Sequence, residues 1–427
     1  MSALFEDPFQ QDRYFGAPAS KSIPESIQLR VLEWSIGREY TCADSVISSA
    51  AELLERDSQA ECQLRIVFAP SQASFGSPEH GAVQFIFKHY DVPSAFVSEY
   101  FTSPAYSFGE RKGLKRLDIE VAWTRFLCKD VLSHPGNASE DRHVFYDNFF
   151  WLKCISYIHV QRREDDSKCV TMICFGATTS IEQRFERLLD SEAWMDAVEE
   201  PYILFALVYE QCFLMLDKAA WTLATWFRPL ERSTLDRARY EHSGIEEHRS
   251  TDFAKLHEIA KHAIYLNEAA TAAVLEMESL ISHLQDSYQS TTSSLSQATL
   301  SKFKYQMAAF RSTQLRLSSL DKRIANVISL SFNLVTQRDS RLLKQDSNAM
   351  KAIALLTLVF LPMTGIASLF DTPFFEVRGG VIDVALSFWV FWVITIVLTL
   401  AMIAFWLWWY RIVKRRSLAT APEQLTR

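Results

Sequence analysis

Glycine is scarce in this chain, 12 in 427 residues. None stands in the spacings GxGxxG, GxxxxGKS/T or GxSxG, and no HExxH occurs. Those motifs cradle a phosphate, present a nucleophile or hold a catalytic zinc. Without them, and with no catalytic cluster in their place, the chain reads as a non-enzyme with no catalytic residue and no cofactor. A basic surplus is also lacking: 44 Lys and Arg stand against 51 Asp and Glu, a net charge of −7. Nucleic acid is therefore not an expected partner.

Cysteine is low and odd in number. Cys42, Cys62, Cys128, Cys154, Cys169, Cys174 and Cys212 include no CxxC pair and close no disulfide framework. They read as reduced thiols of a cytosolic domain. The start, MSALFEDPFQQDRYF, has neither a basic region nor an apolar stretch, so no signal peptide is expected. His242, His248, His257 and His262 are separated by six, nine and five residues, which puts no four on one helical face; they read as surface histidines rather than a metal site.

What is present in excess lies at the end. Ala352 to Phe370 is nineteen residues without a charge, and Val384 to Tyr410 is a longer uncharged run. A bilayer core needs about 20 apolar residues in helical form. The expectation is two membrane helices, 351–370 and 384–410, joined by an extracytoplasmic loop, 371–383, and followed by a cytoplasmic tail, 411–427. Arg338, Arg341, Lys344 and Lys351 precede the first span, and Arg411, Lys414, Arg415 and Arg416 follow the second. The loop carries Asp371, Glu376 and Asp383 against Arg378. Positive charge thus gathers beside both termini, which places both in the cytoplasm. Trp406, Trp408, Trp409 and Tyr410 then form an aromatic belt. Asn137-Ala138-Ser139 spells a glycosylation triplet, but this topology leaves it an inert loop.

The preceding residues read as an α+β arrangement: a cytoplasmic α/β domain, 1–177, and a helical region with a long stalk helix, 178–350. Strand runs are Ile27–Trp34, Gln63–Ala69, His143–Gln161 and Lys168–Ala177, the last two flanking a solvated turn at Glu164-Asp165-Asp166. Helices are expected over Pro78–Tyr90, Pro93–Phe101, Ile181–Ala197, Pro201–Phe227, Thr251–Tyr288, and from Leu295 into the membrane. In that last helix Phe310, Leu317 and Ile324 recur every seven residues, as do Leu320, Val327 and Leu334. Such rows form a packing seam, within the chain or between copies. Ser331 and Arg338 continue one row as polar residues, so the seam loosens toward the membrane.

On the first span Met350, Ile353, Thr357, Leu361 and Thr364 fall on one face. Two readings of the hydroxyls stand open. A threonine can bond back to a carbonyl one turn earlier, or it can line water. Pro362 frees a carbonyl near Leu358, and hydroxyls or water can satisfy it where a helix borders a cavity.

The stretch SNAMKAIALLTLVFLPMTGIASLFDTPFF resembles the CorA-type magnesium channel family. Met350-Lys351, Phe360-Leu361-Pro362-Met363-Thr364 and Ile366-Ala367 carry the resemblance, over about the last hundred residues. It implies a multi-pass homopentamer whose first membrane helix lines a pore for divalent cations, magnesium first among them, with the plasma membrane favoured over an organelle. Asn348, Met350, Ile353, Thr357, Leu361 and Thr364 would line it, and Asp371 would contact the metal at the outer mouth. The family's Gly-Met-Asn is replaced by Asp371-Thr372-Pro373, a pattern similar to divergent CorA-like proteins of filamentous fungi, and the inner-mouth Asn falls nearest Ser347, beside Asn348. Asp371 also reads as a polar stop opening a turn. The resemblance further implies regulatory cation binding by cytoplasmic carboxylates, of which Asp190, Asp196, Glu199 and Glu200 are candidates. The alternative is a non-conducting, membrane-tethered oligomeric scaffold or sensor on the same fold.

Overall fold

A computed structural model describes residues 14, 28–36, 40–58, 62–71, 78–102, 104–112, 119–130, 150–163, 167–240, 253–288, 293–369, 375–378, 381–384 and 387–419. The chain divides into two compact units, Met1–Ser331 and Phe332–Arg427.

The first unit is built on a seven-stranded sheet: β1 (Leu29–Ile36), β2 (Tyr40–Ile47), β3 (Cys62–Ala69), β4 (Tyr106–Lys112), β5 (Ile119–Asp130), β6 (Phe150–Arg162) and β7 (Lys168–Phe175), in the order β2-β1-β3-β7-β6-β5-β4. Neighbours are antiparallel except β3 and β7, which pair in parallel from Leu64↔Val170 to Ala69↔Phe175. Side chains alternate across these strands. Leu64, Ile66, Val170 and Met172 join one core, while Val67, Ala69, Ile173 and Phe175 join the other. With both faces covered, β3 and β7 lose the polar-apolar alternation of a half-exposed strand. The second core holds α1 (Ala50–Ser58), α2 (Pro78–His89) and α3 (Ser94–Thr102) against the sheet.

On the other face lie α4 (Thr179–Glu186), α5 (Trp194–Glu199), α6 (Ile203–Tyr240), α7 (Phe253–Tyr288) and α8 (Ser294–Leu369), which belongs to both units. The helix expected over Ile181–Ala197 is two helices. The Leu188 carbonyl accepts from Trp34 Nε1 at 3.4 Å, and Ser191 Oγ accepts from the Ala193 N–H at 3.0 Å. These bonds offer the backbone an alternative to a continuous helix. Conversely, α6 runs through Pro229 to Tyr240, beyond the expected end at Phe227. An internal proline costs about 3 kcal/mol; Thr234, 1% exposed, and the Glu231–Arg323 ion pair hold the segment beyond it.

Strands β2, β4 and β5 were not evident in the sequence. The first and second are sheet edges, β2 without a regular apolar-polar alternation and β4 with only Tyr106 and Phe108 apolar, and β5 carries Arg125 and Lys129 at buried positions.

The heptad seam is satisfied within the chain. Phe310 meets Phe126, Tyr209 and Phe213, and Leu317, Ile324, Leu320 and Val327 are buried in the first core. Polar ties flank it: Gln306 Nε2 donates to the Ala206 carbonyl at 2.7 Å, Arg316 pairs with Asp217 at 2.5 Å, and Gln314 Nε2 donates to Thr271 Oγ1 at 2.8 Å. Ser331 is still buried, Leu334 is half-buried and Arg338 is exposed, so the seam ends where the second unit begins.

In the second unit, the last part of α8 and α9 (Ser387–Ala419) are helices long and apolar enough to cross a membrane. Between them, β8 (Phe375–Arg378) pairs antiparallel with β9 (Val381–Val384).

Candidate functional site

The two apolar helices bury few of their described side chains. These are Pro362 and Ile366 on α8 and Phe391 and Thr395 on α9, each pair one turn apart. On α8 the stripe continues upstream to half-buried Leu358. At about 100° per residue, the stripe of Met350, Ile353, Thr357, Leu361 and Thr364 lies roughly 140° around the helix from it. Every one of those five is exposed, as is Asn348. The structure therefore places Met350, Ile353, Thr357, Leu361 and Thr364 on one uncovered face, while Asn348, two residues and about 200° from Met350, lies off that face on the side of Ile366. Pro362 belongs to the buried stripe rather than to the open face, which assigns it to helix packing in the single chain. Asp371 lies outside the described residues.

The hydroxyls on that face have partners. Thr357 Oγ1 donates to the Ile353 carbonyl at 2.8 Å. Thr364 Oγ1 lies 3.0 Å from both the Phe360 and Leu361 carbonyls, and Ser368 Oγ donates to the Thr364 carbonyl at 2.8 Å. Thr395 and Thr399 bond back in the same way on α9, at 2.7 Å each. Backbone bonding thus satisfies the protons of these hydroxyls without a neighbouring chain. Each oxygen keeps lone pairs free to accept. At Thr357 and Thr364 the exposed face consequently offers hydrogen-bond acceptors whose own protons are bonded to the backbone.

Farther along the second helix Trp408, Trp409 and Tyr410 are exposed, and Trp406 stacks on Tyr410 with centroids 5.6 Å apart. This belt is what an apolar helix needs where lipid meets water.

The candidate regulatory carboxylates do not converge. Asp190, Asp196 and Glu199 are exposed, while Glu200 is buried and accepts from Ser296 Oγ at 2.9 Å. Glu199 and Glu200 share a cavity of about 330 Å³ with Glu120, Tyr202, His283 and Tyr288. There Tyr202 OH lies 3.0 Å from His283 Nε2, whose Nδ1 is 2.9 Å from Glu110. Burial, then nearby carboxylates, pushes both phenols upward, so they remain neutral hydrogen-bonding groups. Among the described residues no three His, Cys, Asp or Glu side chains are grouped to hold a metal. Of the four histidines, His257 is exposed, but His262 is buried, with Nε2 3.2 Å from Glu258. That corrects its surface assignment: it lies on the inward stripe of α7 with Ile259 and Leu266. His242 and His248 lie outside the described residues, as do the 137–139 triplet and the 164–166 turn.

No family model matches the chain. A curated protein of Aspergillus versicolor, "Notoamide biosynthesis cluster protein M'", is 27% identical over 294 residues, 66% of this chain and 61% of that one. The chain spans about 61% of the length of that curated relative. Among solved structures, the chain is similar to the full-length CmaX protein, with a TM-score of 0.48 and 14% identity, covering 92% of this chain and 99% of that one. It is also similar to the CorA magnesium transporter of Methanocaldococcus jannaschii, with a TM-score of 0.45 and 10% identity, covering 89% and 97%. Both matches run over most of each chain.

Proposed function

We propose that the chain is a CorA-like divalent cation channel or transporter, assembled as a membrane-embedded homo-oligomer, a pentamer by its family resemblance. The observation that carries this reading is the uncovered acceptor face of α8. Met350, Ile353, Thr357, Leu361 and Thr364 share it, and the buried stripe lies elsewhere on the helix. Symmetric copies around one axis turn two threonines per chain into two rings of oxygen acceptors. Magnesium gives up its water reluctantly. Water bound to a dication is a strong donor, so rings that only accept suit a hydrated cation better than hydroxyls that donate. At the far end of the uncharged span, a ring of Asp371 would concentrate cations and neutralise itself on one. Both termini are then cytoplasmic, by the distribution of Lys and Arg.

A second reading, a non-conducting scaffold or sensor on the same fold, is favoured by two observations. The hydroxyls are already satisfied by their own helix, and Asp371-Thr372-Pro373 stands where the family has Gly-Met-Asn. Uptake of magnesium, cobalt, nickel and manganese in cells lacking their own magnesium uptake separates the two. The channel reading expects uptake of at least one ion above the empty vector. No uptake of any, with the protein in the surface membrane, overturns it in favour of the scaffold.

A further inference from the structure

Cys62 and Cys169 are 107 positions apart in sequence, and a single extra residue brings them together. The β1–β3 ladder pairs Trp34 with Leu64 and then Ser35 with Cys62, so Gln63 is bulged out. A bulge reverses which face the following residue occupies. Cys62 therefore leaves the face of Leu64 and Ile66 and joins that of Arg65. On the parallel neighbour, Cys169 shares a face with Thr171, which stands opposite Arg65. The two thiols thus sit on one face of adjacent strands, which are about 4.8 Å apart, within the Cα separation of about 4.4–6.8 Å that a disulfide spans.

Their surroundings are polar. The Cys62 thiol has two acceptors, the Leu64 carbonyl at 3.4 Å and the Cys169 sulfur. Arg163 Nη2 donates to the Cys62 carbonyl at 2.9 Å, and Arg65 is 1% exposed with Nε on Glu33 at 2.7 Å. The hydrogen bond from Cys62 and the two guanidinia hold Cys169 below the usual thiol range, while the same bond and burial raise Cys62. Cys42 differs: it is exposed, yet burial of its sulfur and the Asp190 charge raise it.

We propose that Cys62 and Cys169 form a peroxide-responsive dithiol, with Cys169 the attacking sulfur and Cys62 the resolving one. The Cys169 thiolate attacks one oxygen of hydrogen peroxide. The O–O bond breaks, a sulfenic acid forms, and the departing hydroxide takes a proton to leave as water. Cys62 then attacks the sulfenic sulfur. An S–S bond replaces the S–O bond, and the second hydroxide leaves as water with the Cys62 proton. Two thiol sulfurs are oxidised and both peroxide oxygens reduced. The product staples β3 to β7, the parallel pair inside the sheet. In a reducing compartment such a bond is transient.

The test uses the reduced full-length protein in detergent, treated with hydrogen peroxide and digested without reductant. A peptide linking Cys62 to Cys169 is expected, lost on dithiothreitol and absent from Cys169→Ser. Cys62→Ser is expected to leave Cys169 as a sulfenic acid that dimedone traps. Because substitution at buried Cys62 can impair folding, iodoacetamide labelling of the wild type at neutral pH gives an independent measure. Cys169 should label about tenfold faster than Cys42 despite its lower exposure. Peroxide treatment that yields no linked peptide, or Cys42 labelling faster than Cys169, overturns the proposal.

Discussion

The main-chain N–H of Arg125 donates to Oε1 of Glu276 at 2.6 Å, joining the sheet to α7 across 151 residues. Glu276 is fully buried beside the Tyr209 phenol, and burial pushes its carboxyl well above the usual range. The folded chain keeps that proton where the unfolded chain loses it, above a pH of about 4.3. This carboxyl therefore contributes a stability that is present at low pH and declines as pH rises toward its folded value. Glu276→Gln keeps a neutral acceptor for Arg125 and should remove the decline, which approaches 1.4 kcal/mol per pH unit for a full proton, about. Melting from pH 5 to 8 checks this: the variant should gain on the wild type as pH rises. An unchanged slope would show that Glu276 ionises in place.

The seam of α8 is core, so a charge there should unfold the first unit rather than merely separate copies. Leu320 is 3% exposed and Leu315, on the same helix, is 72% exposed. Leu320→Asp should cost about 3–5 kcal/mol, by burial of an unpaired charge. Leu315→Asp should stay within about 0.5 kcal/mol. Melting temperature checks the fold, and light scattering checks the assembly. A wild-type mass of one chain in mild detergent would remove the oligomer altogether.

Replacing Thr357 and Thr364 together by valine deletes the outward acceptors and keeps the shape. Membrane yield and oligomer mass should be unchanged, because each hydroxyl bonds only its own helix. Cation uptake should fall about tenfold or more, and serine at both positions should restore it. Valine variants that transport like the wild type would leave the hydroxyls with no role beyond their own backbone.

Asp371→Asn should lower uptake and weaken block by competing cations at constant oligomer yield. Asp371→Lys should nearly abolish uptake, since the same ring would then repel cations. If both carry ions normally, Asp371 is a boundary residue and selectivity lies deeper, near Thr364.

Much of the architecture was legible because it rests on local periodicity. The α2, α3, β3 and β7 segments begin and end within a residue or two of their expected limits. The shared face of Met350, Ile353, Thr357, Leu361 and Thr364 was equally legible, since residues three and four apart lie on one side of a helix whatever surrounds them. Strands β2 and β4 were not, because an edge strand without a regular alternation is defined by its partner rather than by its own pattern.

The sequence by itself determined which residues share the open face of the first apolar helix, and how many segments are apolar enough to enter a bilayer. Both follow from composition at fixed helical spacing. Only the tertiary structure decided that the heptad seam is filled by the same chain, since a heptad row records that a partner exists and not whose it is. It also decided that Pro362 lies on the buried stripe, that His262 faces inward, and that Cys62 meets Cys169. That last encounter depends on one bulged residue, Gln63, and on the parallel pairing of strands far apart in the chain, neither of which leaves a mark in the local pattern.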